Sequence, residues 1–579
     1  MSTHQHHADD SISRRTFIAT GAAAGVAASG ALTGFAAASP TPQQESNADG
    51  ASDAISSQDV AAAEKTIGMT FTDQERENIV RTLNRRRAGF PRLREVQRDR
   101  SNDLAPATVF NPRDFVSSPR QTEEAFVFEK RDFGPLPSDD EAIAFAPAVA
   151  LSHWIHTGQL TSTRLTKIYL ERIRKHAPTL ECIITVTEDL ALAQAKQADE
   201  ELAAGNDRGP LHGLPYGAKD LFDTDGIATT WGATPYKDRV ATRDAHVVTR
   251  LREAGAVLIA KTTLGALAYG DIWFGGTTKN PWNLQQGSSG SSAGSASGVV
   301  AGLFAFSLGT ETYGSIVSPS MRCGATGLRP TFGRVGRGGA MALCWSLDKI
   351  GPITRSVEDT IMVLDAMRGA DPADPSAVDT PLNYRGDRSV KELLVGYDPA
   401  WFEGRGAVDA DRAALDAARK AGVQLVEVTL PDLGDIQEML CIVELEAAAA
   451  FEVLTLTDAD DTLVWQSPQA WPNTFRSAWF QPAIDYIQAQ RKRREVFDTF
   501  DRFMQSVDAV LSPSFAQGLL LITNMTGHPC LTLRSGFRQN NRPHGVTLWG
   551  NIDDEGTLAR IGSHMERVLD VASARPPLS

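Results

Sequence analysis

Lysine and serine side chains occupy positions that could support nucleophilic catalysis. Lys219 lies near the end of the apolar, glycine-rich segment 213–220, and serines crowd the two small-residue loops 290–296 and 309–316. A serine hydroxyl attacks a carbonyl only when a nearby group removes its proton. A lysine can be that group when burial disfavours its charge and lowers its pKa. These residue types are compatible with acyl transfer by a serine with a lysine base.

The two serine-rich loops are expected inside a folded core. They bracket the apolar run 299–308, whereas flexible linkers rich in Gly and Ser are polar throughout. This alternation indicates a backbone that bends within the core, which glycine permits. The two loops are therefore predicted to be ordered parts of the core and not flexible linkers.

Seven ordered motifs resemble those of the amidase signature family, serine hydrolases that cleave amides with a Ser-Ser-Lys triad. The resemblance covers roughly residues 140–570. The motifs are the lysine segment 209–220, the Asn-Pro-Trp-Asn stretch 280–283, the loops 290–296 and 309–316, the segments 323–331 and 346–352, and the Asn-Met-Thr-Gly-His-Pro stretch 524–529. The last motif resembles the family's closing core strand. The resemblance and the alternation of strand and helix patterns predict an α/β fold, with a single large mixed β-sheet covered by helices on both faces.

The resemblance implies a role for each matching residue. Ser315 matches the nucleophile, Ser291 the serine that relays the proton, and Lys219 the base. Hydrolysis of a small-molecule amide substrate would then pass through an acyl-enzyme. The oxyanion hole is expected to consist of backbone amides that precede the nucleophile, those of Thr312, Tyr313 and Gly314.

The choice of relay serine depends on the register of the match. Ser288, Ser289 and Ser292 are near rivals of Ser291. When the family motif is aligned from Ser315 backwards without a gap, the relay serine falls on Ser291. Aligning the motif on Gly287, Ser288 and Ser289 instead requires an insertion in the apolar run.

Each candidate also has an ordinary structural explanation. Lys219 beside Asp220 is compatible with a surface ion pair. Ser291 and Ser292 are compatible with a turn or a helix N-cap, and Ser315 with a plain loop. Their joint occurrence at the family's spacing favours the catalytic interpretation, while Asp220 is expected to be structural.

Three features depart from the family pattern. Tyr313 replaces a small residue beside the nucleophile, and Glu311 stands where aspartate is commoner. Val317 and Ser318 occupy positions where the family often has an arginine that can pair with a substrate carboxylate. The missing planar cation argues against a small anionic substrate and favours a neutral or aromatic acyl group.

The N-terminus resembles a twin-arginine export signal. The motif Ser-Arg-Arg-Thr-Phe-Ile at 13–18 precedes an alanine- and glycine-rich stretch suited to cleavage near Ala38. Residues 1–38 are predicted to be a signal peptide, and the protein to be periplasmic or extracellular. An uncleaved anchor is the alternative, which the low apolarity of the stretch disfavours. No stable membrane span is expected in the mature form.

The remaining chain is predicted to form three segments. Residues 39–60 are expected to be a flexible tether, and 61–138 a helical extension with a helix near 72–88. The basic run 85–87 is expected to face solvent. The amidase-like domain is expected over 139–575, including a helix-rich region at 400–510 that covers the pocket.

Several elements of this domain are predicted individually. Helices are expected at 140–157, 161–176 with Thr161 as N-cap, 187–204 and 357–367. Aromatic side chains of the 400–510 region are candidates for the pocket mouth, although ordinary packing explains any one of them equally well; they are Trp401, Phe402, Trp465, Trp471, Trp479 and Phe480.

Composition and motifs argue against other chemistries. The net charge of −14 offers no basic patch for nucleic acid. The sequence has no HExxH, P-loop or dinucleotide motif, and His212, His528 and His544 are dispersed. No metal and no cofactor is therefore expected. The five scattered cysteines are predicted to be buried free thiols. The oligomeric state stays open.

Two other functions fit the same pattern. The fold also serves amidotransferase A-type subunits, which hydrolyse glutamine for a partner acting on charged tRNA, but export would separate the protein from tRNA. A noncatalytic binding protein on the same fold is the third possibility. Intact candidates at all three triad positions argue against it, and an exported amidase is the main prediction.

Overall fold

An eleven-stranded mixed β-sheet forms the centre of the part of the chain that the structure describes. The structure is a computed structural model that describes residues 54–67, 69–87, 89, 110–116, 123–539 and 541–578. The predicted signal peptide and most of the predicted tether lie outside these residues. The strands are β1 (Ala125–Val127), β2 (Ile183–Val186), β3 (Pro215–Lys219), β4 (Val257–Thr262), β5 (Ile272–Trp273), β6 (Gly276–Thr277), β7 (Lys279–Asn280), β8 (Asn283–Gly287), β9 (Phe306–Glu311), β10 (Thr326–Arg329), β11 (Lys349–Thr354), β12 (Asn383–Arg385), β13 (Leu394–Tyr397), β14 (Gln424–Glu427), β15 (Ala509–Pro513), β16 (Cys530–Arg538) and β17 (Arg542–Gly550).

The large sheet has the strand order β14-β13-β15-β17-β16-β10-β11-β9-β3-β4-β2. Strand β3 is parallel to both of its neighbours, β4 and β9, and every residue of these three strands is buried. Strands covered on both faces in this way are typical of sheets packed between helical layers. The predicted α/β fold with one large mixed sheet is confirmed.

The described residues form eighteen α-helices, several of which cover the two faces of this sheet. They are α1 (Ser57–Ile67), α2 (Asp73–Arg87), α3 (Asp140–Phe145), α4 (Ala148–His156), α5 (Ser162–Leu180), α6 (Glu188–Ala203), α7 (His246–Glu253), α8 (Ala293–Val300), α9 (Val317–Cys323), α10 (Val357–Met367), α11 (Pro399–Glu403), α12 (Asp409–Ala421), α13 (Leu440–Ala450), α14 (Glu452–Leu456), α15 (Trp471–Ala478), α16 (Ala483–Met504), α17 (Leu519–Thr526) and α18 (Glu555–Leu569). Among the described residues, no helix combines the length and apolarity needed to cross a membrane.

Capping residues define several helix ends as the sequence indicates. The Thr161 hydroxyl accepts from the Arg164 amide at the start of α5. Thr72 and Glu75 bond each other's backbone amides before α2, which is the reciprocal capping box. Helix α10 spans the range predicted for it, and α5 continues four residues beyond its predicted end.

Four sequence predictions differ from the structure. The predicted helix 140–157 is two helices, because Pro147 lacks the amide that a continuous helix would use. The predicted tether overlaps α1, which begins at Ser57. The motif 524–529 is not a strand: it contains the end of α17 and the turn before β16. The basic run is not wholly solvent-facing, because Arg86 forms an ion pair with Glu444.

The predicted extension packs against the domain predicted over 139–575. Strand β1 pairs in parallel with β12, and Asn473 of α15 donates a 2.9 Å hydrogen bond to Thr82 of α2. Arg476 of α15 forms a 2.9 Å ion pair with Glu75 of α2. The two contacts between α2 and α15 join the extension to the helix-rich region 400–510, whereas the β1–β12 pairing joins it to residues 383–385.

Candidate active site

Lys219 is a fully buried lysine whose hydrogen-bond partners are hydroxyl groups. It ends β3, and its Nζ lies 2.8 Å from Ser291 Oγ, 3.2 Å from Ser292 Oγ and 2.8 Å from Thr310 Oγ1. Burial lowers the pKa of Lys219 to about 7, while the more distant carboxylates of Asp348 and Glu311 act in the opposite direction. Because hydroxyls do not neutralise an ammonium, this environment favours the uncharged amine.

A second buried lysine on the next strand provides a direct comparison. Lys261 of β4 forms a 3.1 Å ion pair with Asp220 and donates to the Phe222 carbonyl and the Thr229 hydroxyl. Asp220 also accepts from the amide and the hydroxyl of Thr230. The structure therefore gives Asp220 the structural role expected for it. Asp220 forms its ion pair with Lys261 and not with Lys219. Because Lys219 is also fully buried, the alternative that Lys219 and Asp220 form a surface ion pair is wrong.

The four rival serines differ in their contacts. Ser288 donates to the Ser289 carbonyl, and Ser289 shares a 2.7 Å hydrogen bond with Ser318. Ser292 lies at the N-cap of α8 without making a side-chain cap, and it bonds both the amide and the carbonyl of Thr310. Ser291, which follows a cis peptide bond, has its Oγ 2.8 Å from Lys219 Nζ, closer than the 3.2 Å of Ser292 Oγ. Ser291 is thus the serine best placed to exchange a proton with the lysine.

A glycine permits the close packing of Ser292 against the neighbouring strand. A Cβ added at Gly309 of β9 would lie 2.7 Å from Ser292 Oγ, closer than side-chain atoms pack. Because Gly309 has no side chain, Ser292 reaches the backbone of Thr310. The serine loop is therefore fixed against the strand that leads to Ser315.

Ser315 lies in the turn between β9 and α9, with 9% of its surface exposed. Gly314 reaches φ +88°, a conformation that favours glycine, and so turns the chain before Ser315. The Ser292 amide donates a 3.2 Å hydrogen bond to the Ser315 carbonyl, which joins the two serine loops. No hydrogen bond of Ser315 Oγ occurs within the described residues. Such nucleophile contacts are often looser without substrate.

Glu311 holds both ends of this turn. Its Oε2 accepts from the amides of Ile316 and Val317, at 2.8 and 2.9 Å, while Glu311 itself ends β9. Its Oε1 accepts from Arg329 at 2.7 Å and from Asn524 at 2.8 Å. Burial raises the pKa of Glu311, but the charge of Arg329 and the Val317 amide outweigh that effect and lower it to about 2. Glu311, which stands where the family more often has aspartate, is therefore an ionised carboxylate that holds the turn in place.

The predicted oxyanion-hole residues, Thr312, Tyr313 and Gly314, lie in the same turn. Thr312 Oγ1 donates a 2.5 Å hydrogen bond to Asp348, which also accepts from the amides of Leu343 and Cys344. In the part of the chain that the structure describes, the amides of Tyr313 and Gly314 have no hydrogen-bond acceptor. Unoccupied amide donors in a turn beside the nucleophile are suited to bind a developing oxyanion.

A cavity of about 840 Å³ reaches the site at Thr310 and Thr312. Much of its wall is apolar, and its charged lining residues are Arg243, Arg337, Asp348, Asp374 and Glu446. The region 400–510 contributes Glu446, Gln481 and Tyr486, but none of the six aromatic residues predicted for the pocket mouth. Trp401 and Phe402 are buried elsewhere, and Trp471 stacks on Phe475. None of the six lines this cavity, which favours the packing alternative, although other residues of the region 400–510 do line it.

Most charges in the cavity wall are already paired or hydrogen-bonded. Arg337 forms a bidentate pair with Asp374, at 2.7 and 3.1 Å. Glu446 accepts from the amide and hydroxyl of Ser346 and from the Tyr486 hydroxyl, at 2.6–3.0 Å. Arg243 is exposed. An ionic substrate would have to compete with these internal partners.

Thr310, Asp348 and Arg329 lie within the family motifs 309–316, 346–352 and 323–331, but their residue types predicted no individual role; the structure places them around the site. Thr310 lies in an apolar strand where threonine is an ordinary strand former, so its type carries no catalytic signal. Arg329 and Asp348 reach the turn through long-range contacts. Spacing along the chain does not reveal such contacts.

Two of the cysteine thiols make weak contacts near the site: Cys344 Sγ with Glu446 and Cys323 Sγ with the Ser288 carbonyl. No group of three or more His, Cys, Asp or Glu side chains in the described ranges could hold a metal ion. The five cysteines are unpaired, four of them buried and Cys441 partly exposed.

The chain belongs to the amidase family. The family model matches residues 164–528, which span the lysine strand, both serine loops and the turn with Ser315. The chain is similar to the A-type subunit of glutamyl-tRNA(Gln) amidotransferase from Synechococcus sp. (strain CC9605), with 32% identity over 484 residues, covering 74% of this chain and 98% of that protein. The corresponding protein of Halorhodospira halophila (strain DSM 244 / SL1) is 34% identical over 471 residues, covering 72% and 96%.

A solved structure has the same fold. Peptide amidase from Stenotrophomonas maltophilia superposes with a TM-score of 0.66 and 28% identity, covering 75% of this chain and 98% of that chain. The chain is thus an amidase-family enzyme with an amide C–N bond as the class of target.

Proposed function

We propose that this protein is a serine amidohydrolase that cleaves a neutral amide, with Ser315 as nucleophile, Ser291 as proton relay and Lys219 as base. The observation that carries the proposal is the contact of a buried lysine, with a pKa near 7, to a hydroxyl of the serine loop (Ser291) and to one of the strand that leads to Ser315 (Thr310). A lysine in this state accepts a proton at neutral pH.

The proposed reaction has two halves. The neutral Lys219 amine takes the Ser291 proton as Ser291 takes the proton of Ser315, whose oxygen attacks the amide carbonyl. The amides of Thr312, Tyr313 and Gly314 are the proposed oxyanion donors. The C–N bond breaks as the proton returns through Ser291 to the leaving nitrogen. Water then attacks the acyl-enzyme, restores Ser315 and releases the carboxylic acid.

The pocket supports a neutral substrate. Val317 is buried, and Ser318 is hydrogen-bonded to Ser289, so neither position offers a cation to a substrate carboxylate. The charged groups of the cavity wall are largely paired with one another. The apolar or aromatic part of a neutral amide could contact this wall without having to break those ion pairs, whereas a charged substrate would compete with them.

The second candidate function is a glutamine-hydrolysing A-type subunit of an amidotransferase. By their names, the similar relatives favour this candidate, because they align over 96–98% of their own length. Glutamine carries a carboxylate and an ammonium on one carbon, and the cavity would have to bind both. The export signal proposed for residues 1–38 would also separate the protein from tRNA. The pocket charges and this proposed signal support the first candidate.

A panel of amides separates the two candidates. We expect the wild-type enzyme to hydrolyse neutral aryl or alkyl amides with a higher kcat/KM than glutamine or malonamate. Ser315→Ala is expected to lose at least about a thousandfold of that activity. The assay is run separately on exported and cytoplasmic fractions of cells that make the protein, and we expect the activity in the exported fraction. Glutamine preference in the cytoplasmic fraction would favour the amidotransferase instead.

A further inference from the structure

A short segment of the N-terminal extension reaches the cavity beside the candidate active site. Residues 110–116 precede the family match, which begins at residue 164, by about fifty residues. Phe110 nevertheless lines the same cavity as Thr310 and Thr312. The pocket is therefore completed by chain outside the matched family region.

Specific contacts hold this segment against the domain. Arg113 forms a bidentate pair with Asp553, at 2.7 and 2.5 Å, and donates a 3.0 Å hydrogen bond to the Phe332 carbonyl. Phe115 packs edge-on against Phe497, with ring centroids 5.5 Å apart. A partly buried bidentate ion pair and an aromatic contact fix the position of the segment more firmly than fully exposed charges would.

The Phe110 ring is itself closely held. Its centroid lies 5.2 Å from that of Phe332, which also lines the cavity. The guanidinium of the buried Arg493, on α16, lies 3.5 Å from the Phe110 centroid and donates to the carbonyls of Met525 and Ser346. A ring fixed on two sides forms a rigid wall, because moving it would disturb several buried contacts.

We infer that Phe110 is a specificity-determining residue: together with Phe332 it forms an aromatic wall that limits the size of the apolar part of the substrate. This inference rests on the proposed amidohydrolase function and assigns the extension a role in selectivity. Phe110 touches none of the groups proposed for the chemistry. Shortening it enlarges the cavity and favours bulkier substrates.

Covalent probes of two sizes test this inference. The second-order labelling rates of the full-length protein are measured with an ethyl fluorophosphonate and with a biphenyl fluorophosphonate. Phe110→Ala is expected to raise the biphenyl-to-ethyl rate ratio about tenfold, since small changes of pocket volume alter selectivity by such factors. Phe110→Trp is expected to lower the ratio. If Phe110→Ala fails to fold, Phe110→Leu is expected to raise the ratio by a smaller factor.

Phe115→Ala is the matched control. It removes the same ring type from the same segment, but Phe115 does not line the cavity. Its rate ratio is expected to stay within about twofold of wild type, as expected for a residue outside the pocket. An unchanged ratio in folded Phe110 variants, or an equal shift in Phe115→Ala, would overturn the inference alone. Failure of the small ethyl probe to label wild-type Ser315 would overturn the proposed function, on which the inference rests.

Discussion

Replacing Lys219 with methionine is expected to lower kcat/KM for amide hydrolysis about a thousandfold or more, while the protein stays folded. Methionine has a similar length and is apolar, so it fits a site that already disfavours charge. It cannot accept a proton, so Ser291 and Ser315 would keep theirs. Steady-state kinetics on the best neutral amide and thermal unfolding of the same sample measure both properties.

Lys261→Met gives the matched control for this variant. Both lysines are buried on adjacent strands, but Lys261 neutralises Asp220. Its removal leaves a buried carboxylate without its cation, so the melting temperature is expected to fall while the folded fraction keeps its kcat. Retention of more than a tenth of the wild-type activity in Lys219→Met would contradict the role of Lys219 as base.

The Arg329→Met variant is expected to lose about 3–5 kcal/mol of unfolding free energy, because it leaves the fully buried Glu311 carboxylate without its cation. Glu311 also holds the amides of Ile316 and Val317. The turn that presents Ser315 is therefore expected to loosen, and kcat to fall with stability. Equilibrium chemical denaturation, followed by circular dichroism, measures the change.

Arg412→Met is the control for the loss of an arginine. Arg412 pairs with Asp409 on the exposed surface of α12, with side chains 49% and 99% exposed. Exposed pairs of this kind contribute about 0–1 kcal/mol. Equal denaturation midpoints for Arg329→Met and Arg412→Met would show that the buried Arg329–Glu311 pair contributes little to the unfolding free energy.

The sequence was most informative where a pattern is local. Helix α10 matches its predicted range, and Thr161 caps α5 as its type indicates. The lysine strand and the serine loops are close enough to their family motifs for each to be located by its own residues. The structure then brings Lys219 and Ser291 within hydrogen-bond distance, although they are far apart in sequence.

Two wrong predictions of secondary structure concern places where the sequence did carry a signal for the observed structure. Pro147 marks a helix break within the predicted helix 140–157. Gly527, at φ +76°, ends α17, so the motif 524–529 starts in a helix. Its apolar residues fit a strand and a buried helix equally well.

The remaining site residues could not be assigned a role from the sequence, because they reach the site through long-range contacts. Arg329 of β10, Asn524 of α17 and Asp348 before β11 contact the nucleophile turn, and no local sequence period indicates such long-range contacts. Phe110 is another case, because it precedes the family match and lies between stretches without a clear pattern. Aromatic residues also pack the core, so their type alone did not distinguish the cavity wall from the interior.

The most direct test of the central claim is pH-resolved labelling of the wild-type protein with a fluorophosphonate, followed by mass mapping of the adduct. The account predicts a single adduct on Ser315. Its rate should be constant above pH 7 and fall about tenfold per pH unit below it, because Lys219, whose pKa burial lowers to about 7, must be uncharged to act as the base. An adduct on another residue, or a rate unchanged from pH 9 to pH 5, would contradict the account.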